Sequence, residues 1–211
     1  MRTVLIAATF LSLALPVAGQ DHAHPAAAGG GQLVPGWQGR TDRATDQLSA
    51  VSFRALEKGF HVKTGPATIL WNPANRASGQ FTAAATFAAT GQSPREAYGI
   101  VFGGKNLDQA DIDYGYFIIR GDGSYMIRHR AGAELHTVKE WTKSDAIRQP
   151  EASGAMTNTL AFEAREGGVR FLINGTEVAA FGPEWQAAGL VGLRVNHNLE
   201  VQVTDFGITP R

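Results

Sequence analysis

The chain has 211 residues, 19 lysines and arginines against 19 aspartates and glutamates, and no cysteine. That length fits one domain with a substantial core. The balanced formal charge gives no global pull toward nucleic acid or an anionic membrane, and the missing thiol excludes disulfides, thiolate catalysis, cysteine-held metals and lipid attachment through an N-terminal cysteine.

Residues 1–19 have the pattern of a secretory signal peptide. Arg2 supplies the positive start, Val4–Leu15 is an almost unbroken apolar run, and Val17-Ala18-Gly19 is a small-residue cleavage site. The run is shorter than the ~20 residues that a spanning helix needs. The expectation is therefore a secreted or periplasmic chain without a membrane span. Cleavage after Gly19 leaves Gln20-Asp21-His22 at the new N-terminus. A free amine followed by His22 in third place suits square-planar Cu(II) or Ni(II), with His24 as a further ligand. Gln20–Gly36 is rich in alanine, glycine and proline and reads as a disordered leader. Trp37 is expected to open a single domain over residues 37–211.

Arg40–Lys58 carries two periodicities. Leu48, Val51, Ala55 and Leu56 recur at helical spacing, whereas Val51, Phe53 and Ala55 alternate as in a strand. The extended pattern continuing through Gly59–Val62 favours strand. Ala67–Trp71 reads as a strand ending at Asn72-Pro73. Phe81, Ala83, Ala85 and Phe87 alternate within Gln80–Thr90, the pattern of a half-buried strand.

The central stretch Ala97–Gly132 holds three strand-like runs, Tyr98–Phe102, Tyr114–Arg120 and Ser124–Arg130, the last two separated by Gly121-Asp122-Gly123. A two-residue turn would pair Arg120 with Tyr125 and mix charged and apolar groups on both faces. A three-residue loop, closed by Gly123 in the left-handed conformation, pairs Arg120 with Ser124 instead. Phe117, Ile119, Tyr125 and Ile127 then share one face, and Tyr116, Arg120, Arg128 and Arg130 the other. A one-residue slip flips every side chain, so this segregation selects the three-residue loop.

Glu134–Trp141 reads as another strand, and Thr142–Thr157 as a long connection with room for one helical turn. Thr159–Arg165 points Leu160 and Phe162 inward, with Glu163 and Arg165 outward. Val169–Ile173 and Thr176–Phe181 flank Asn174-Gly175, a strong hairpin signal. Val191, Leu193 and Val195 alternate in the next strand, and Leu199, Val201 and Val203 in the last. About a dozen short strands at short spacing predict an all-β sandwich or barrel rather than βαβ units.

The runs YGIVFGG, YFIIRGDGSYMIRHRAG, FLINGTEV and GLVGLRVNHNLEVQVTDFGI together resemble the concanavalin A-like, laminin-G-like jelly-roll superfamily, and within it the secreted bacterial members. The resemblance spans about Gly59 to the C-terminus. It implies an all-β, two-sheet antiparallel jelly-roll sandwich, and carbohydrate as the commonest ligand of the superfamily. Fold does not fix function. A structural or adhesive envelope protein remains an alternative, as does a glycoside hydrolase or polysaccharide lyase with dispersed catalytic residues.

Glycoside hydrolysis needs two carboxylates across the scissile bond. Jelly-roll endoglucanases carry them as Glu-x-Asp-x-Glu along one strand, and no such spacing occurs here. Glu163 and Glu166 differ in parity, and a pair such as Glu163 with Glu200 would have to be assembled from distant strands. The expectation is no catalysis and no required cofactor. Asn106, Asp108, Asp111 and Asp113 lie in one segment and could offer oxygens to a structural calcium, although the EF-hand glycine and terminal glutamate are missing. His129 falls on the apolar face and is expected in the core. His61, His136 and His197 occupy separate strands or turns, with no zinc-ligand spacing. Arg120-Gly121-Asp122 and Asn174-Gly175-Thr176 match an integrin tripeptide and a glycosylation sequon, but both are what their hairpin loops require.

The outward set carries the sharpest expectation. Tyr116, Arg120, Arg128 and Arg130 share a face, and parity adds Arg194, Arg165 and Arg170 on their own strands. Arginine matches carboxylates bidentately and tyrosine stacks on sugar rings, which suits an acidic polysaccharide. The competing reading places these arginines on two different sheets, as solvated surface.

Overall fold

The structure, a computed structural model, describes residues 32–90, 95–150, 155–185 and 187–211. The expected signal peptide, the copper-binding residues His22 and His24, and most of the expected leader lie outside the described residues. The strands are β1 (Gln38–Thr41), β2 (Ser52–Ala55), β3 (Phe60–Lys63), β4 (Thr68–Ala77), β5 (Phe81–Thr90), β6 (Ala97–Lys105) and β7 (Asp113–Arg120). They continue as β8 (Ser124–Ala131), β9 (Glu134–Lys143), β10 (Met156–Arg165), β11 (Gly168–Ile173), β12 (Thr176–Phe181), β13 (Gly189–Val195) and β14 (Glu200–Pro210). Among the described residues these form two antiparallel sheets. The first has the order β1-β4-β13-β6-β7-β8-β9, the second β12-β11-β10-β5-β14-β3-β2. Distant strands lie side by side, as β13 does between β4 and β6, so the chain repeatedly crosses between sheets in the jelly-roll manner.

The core lies between the sheets and is strongly aromatic. Phe53, Phe81, Phe87, Phe162 and Phe171 from the second sheet meet Tyr98, Phe102, Phe117 and Tyr125 from the first. Phe102 stacks on Phe162 with centroids 4.3 Å apart, and Phe117 meets Phe171 edge-on at 5.2 Å. Each such pair adds about 0.5–1.5 kcal/mol beyond the area it buries. The alternation read along β5 is realised: Phe81, Ala83, Ala85 and Phe87 are buried, and the residues between them are half-buried.

The central hairpin has the expected register. Arg120 pairs with Ser124, Ile119 with Tyr125 and Phe117 with Ile127. Gly123 holds φ +81° and donates its N–H to Arg120 O at 3.1 Å. Asp122 closes the loop from the other side, its Oδ1 accepting the Ser124 N–H at 3.0 Å.

Three boundaries differ from the sequence reading. Arg40–Lys58 holds the favoured strand as β2, where Phe53 is fully buried, but preceded by a short 3-10 turn at Leu48–Ala50. β4 does not end at Asn72-Pro73 but runs to Ala77. Pro73 is tolerated because β1 pairing stops at Trp71, and β13 bulges between Leu190 and Gly192 at the same level, so no ladder bond needs the missing N–H. Leu33 and Val34 already pack on the core ahead of Trp37, which lies against Phe53, Phe60 and Phe206.

Candidate functional site at the end of the sandwich

Where β6 leaves the sandwich, Gly103 takes φ +63° and the β6–β7 register shifts between Phe102 and Lys105. Such a bulge bends the strand and re-aims the residues after it, and here it sets Lys105 opposite Asp113. Next to it, β7 carries Gly115 opposite Phe102. A Cβ on Gly115 would stand 2.3 Å from the Phe102 ring, so glycine lets that ring lie flat over the strand. Phe102 and Gly115 line one part of a pocket of about 320 Å³. β8 and β9 contribute His129, His136 and Val138, and the segment after β12 contributes Glu184 and Trp185. Trp185 is stacked on Phe181 with centroids 4.9 Å apart, which fixes the indole plane.

The two histidines are direct cross-strand partners, their rings stacked with centroids 5.9 Å apart. His129 Nε2 lies 3.2 Å from Asp113 Oδ1, the imidazole donating when its proton sits on that nitrogen. His136 Nε2 lies 3.4 Å from Glu134 Oε2. The expectation that His129 is a core residue is therefore corrected. It keeps the inward parity of β8, but a pocket opens beside it, and its side chain is 35% exposed in the pocket wall. The seven-residue separation of His129 and His136 concealed their pairing. The hairpin turn at Gly132, with φ +58° and Ala131 paired to Glu134, is the sequence signal that could have revealed it.

The ligand-binding set expected from sequence does share one surface. Tyr116, Arg120, Arg128, Arg130 and Arg194 all lie on the outer face of the first sheet, as the ladder registers place them. Their partners come largely from the chain itself. Arg194 is only 5% exposed, donates to both Asp42 oxygens at 2.9 and 2.6 Å, and lies over the Tyr116 ring at 4.6 Å. Burial alone would raise the Asp42 pKa, and the Arg194 guanidinium outweighs it and holds the carboxyl below its usual range. Arg130 stands 3.7 Å from the same carboxylate and donates to Gly132 O. Arg120 lies 4.0 Å over Trp141 and pairs with Asp122 at 2.7 Å, which ties up the Arg-Gly-Asp tripeptide. Arg128 donates to the Thr137 hydroxyl at 3.2 Å.

Arg165 and Arg170 belong to the second sheet, so the arginines do divide between two surfaces. There they converge on Glu163, which points outward as expected but is 5% exposed rather than solvated. Arg165, Arg170 and Arg211 reach it at 2.5, 2.7 and 2.5 Å. Glu200 is taken up by His61 at 2.9 Å and Lys63 at 3.5 Å, remote in the ladder from Glu163. Asn174 of the sequon spends its amide on Ala146 O and Asn158 and its carbonyl on the Thr159 N–H. In the segment expected to bind calcium, Asn106 donates to Asp111 at 2.8 Å, Asp108 is exposed and Asp113 turns to His129. Among the described residues no group of three histidine, aspartate or glutamate side chains converges as a metal site would require.

No protein-family model matches the sequence, and the search of curated proteins found no match. Similar solved structures exist at low identity. The carbohydrate-binding module CBM66 of Bacillus subtilis superposes with a TM-score of 0.61 at 12% identity, over 82% of this chain and 95% of that one. A Bacillus subtilis protein of unknown function with a galectin-like fold gives 0.58 at 11% identity, over 82% and 89%. The Bacillus licheniformis beta-glucanase gives 0.54 at 9% identity, over 85% and 94%. At such identities the likeness concerns the fold, and the fold of this chain is a two-sheet jelly-roll sandwich of the concanavalin A-like kind.

Proposed function

We propose that this domain is an exported carbohydrate-binding module that holds a sugar in the end pocket and performs no chemistry on it. The observation that carries this reading is the pocket itself. Its volume of about 320 Å³ suits one or two sugar rings, and small-ligand sites take this form of an apolar floor with a few convergent polar groups. Trp185 offers a fixed aromatic plane for the C–H face of a pyranose, while Asp113, His129, His136, Glu184 and Lys105 offer donors and acceptors for its hydroxyls. The likeness to a carbohydrate-binding module supports the assignment by analogy of fold. The adhesive alternative draws less support: among the described residues the large exposed apolar side chains are Leu56, in the turn after β2 of the second sheet, and Leu135, on β9 of the first.

A second reading, binding of acidic polysaccharide on the outer face of the first sheet, rests on Arg128, whose described partner is a hydroxyl rather than a carboxylate. Calorimetric titration with neutral and uronate oligosaccharides separates the two. The pocket reading expects neutral sugars to bind, Trp185→Ala to weaken them tenfold or more, and Arg128→Ala to leave them unchanged. Unaltered affinity in Trp185→Ala overturns it, and uronate binding lost in Arg128→Ala establishes the second reading. Reducing-end release that disappears in Asp113→Asn or Glu184→Gln would turn the module into an enzyme.

A further inference from the structure

The pocket also states a preference among sugars by its charge, an inference that rests on the reading of the pocket as a carbohydrate site. Its walls carry two carboxylates, Asp113 and Glu184, against one ammonium, Lys105. Glu134, outside the lining and exposed, pairs with His136 of the wall at 3.4 Å. Among the described residues none of these acids is paired with an arginine, in contrast to Asp42 under Arg194 and Glu163 under three guanidiniums. The described partner of Asp113 is an imidazole, and Glu184 is exposed, its carboxylate folded toward Gly182. The two acids come from different elements, Asp113 from the first strand position of β7 and Glu184 from the segment beside the stacking indole.

We infer that the pocket selects a sugar bearing a free amine over the neutral sugar of the same shape, and excludes a uronate. A ring seated on Trp185 shares the pocket with the Asp113 and Glu184 carboxylates, to which an ammonium can make charge-assisted hydrogen bonds. A uronate at the same place meets like charge, whose juxtaposition is a means of rejecting a ligand. The pocket is partly enclosed, so these interactions are screened less than those on open surface.

The test compares β-1,4-linked trisaccharides of the gluco configuration in calorimetric titrations: a glucosamine trimer, its N-acetylated form, a glucose trimer and a glucuronate trimer. The glucosamine trimer should bind at least fivefold tighter than the acetylated and glucose trimers, and the glucuronate trimer more weakly than all three. Glu184→Gln, on an exposed segment, should bring the ratio of glucosamine-trimer to glucose-trimer affinity down toward unity. Asp113→Asn should do the same, with its thermal unfolding recorded to separate loss of fold from loss of charge. Equal affinities for the glucosamine and glucose trimers, or an amine preference that survives both substitutions, would overturn the inference and leave the pocket a neutral-sugar site. No binding of any of the four removes the carbohydrate reading itself and the inference with it.

Discussion

Removing Asp42 tests whether the arginine face is a structural unit. Arg194 is 5% exposed in the intact domain, and Asp42→Ala leaves its guanidinium with Tyr116 and Tyr114 beside it but without the Asp42 carboxylate. Breaking a buried pair by deleting one partner costs about 3–5 kcal/mol, because the remaining charge stays desolvated. The Asp42 side chain is itself 31% exposed, so water can reach the vacated space and the lower end applies, about 3 kcal/mol. For a domain of this size that is a fall in Tm of roughly 6–12 °C. Arg194→Met in the same chain removes the orphaned charge, and the double variant should recover about 1–2 kcal/mol relative to Asp42→Ala. Urea unfolding followed by tryptophan fluorescence measures all three variants. An Asp42→Ala chain within ~0.5 kcal/mol of wild type, the range of ordinary surface substitutions, would refute the assignment and return Arg194 to the pool of groups free for a ligand.

Gly115→Ala should cost about 1–3 kcal/mol, since its methyl would drive the Phe102 ring off Phe162, and sugar affinity should fall with it. Gly123→Ala, at φ +81°, should cost roughly 1 kcal/mol in urea unfolding. Asp122→Ala should cost about as much, because Asp122 accepts the Ser124 N–H and pairs with Arg120. Burial alone would raise the Glu163 pKa, but hydrogen bonds from Arg170 and Arg165 hold it below the usual carboxylate value. The folded state therefore gains stability from Glu163 above the unfolded pKa of about 4.3 and loses it as pH falls through the lower folded value. Glu163→Gln should be less stable than wild type at pH 7, with the gap closing below about pH 4. A gap independent of pH would contradict the triple ion pair.

The strands, their faces and the central hairpin were legible in the sequence because they follow from period-two alternation and turn chemistry, which act between near neighbours. Arg120 opposite Ser124 needed only the segregation of Phe117 and Ile119 from Tyr116 and Arg128. The same parity placed Arg194 and Arg128 on one face, but parity says nothing of what lies above a face. Asp42 reaches Arg194 across 152 positions, and Arg211 reaches Glu163 across 48. Those meetings depend on which strands the jelly roll lays side by side, and they turn apparently free charges into paired ones. The pocket is of the same kind. Asp113, His129 and Glu184 carry no shared local spacing, and the ring of Phe102 over Gly115 and the stacking of Trp185 on Phe181 follow from packing, not pattern. Local physics determined which way each side chain points along its strand; only the tertiary structure decided which of them meet, because partners brought together by long loop closure leave no periodic trace in the chain.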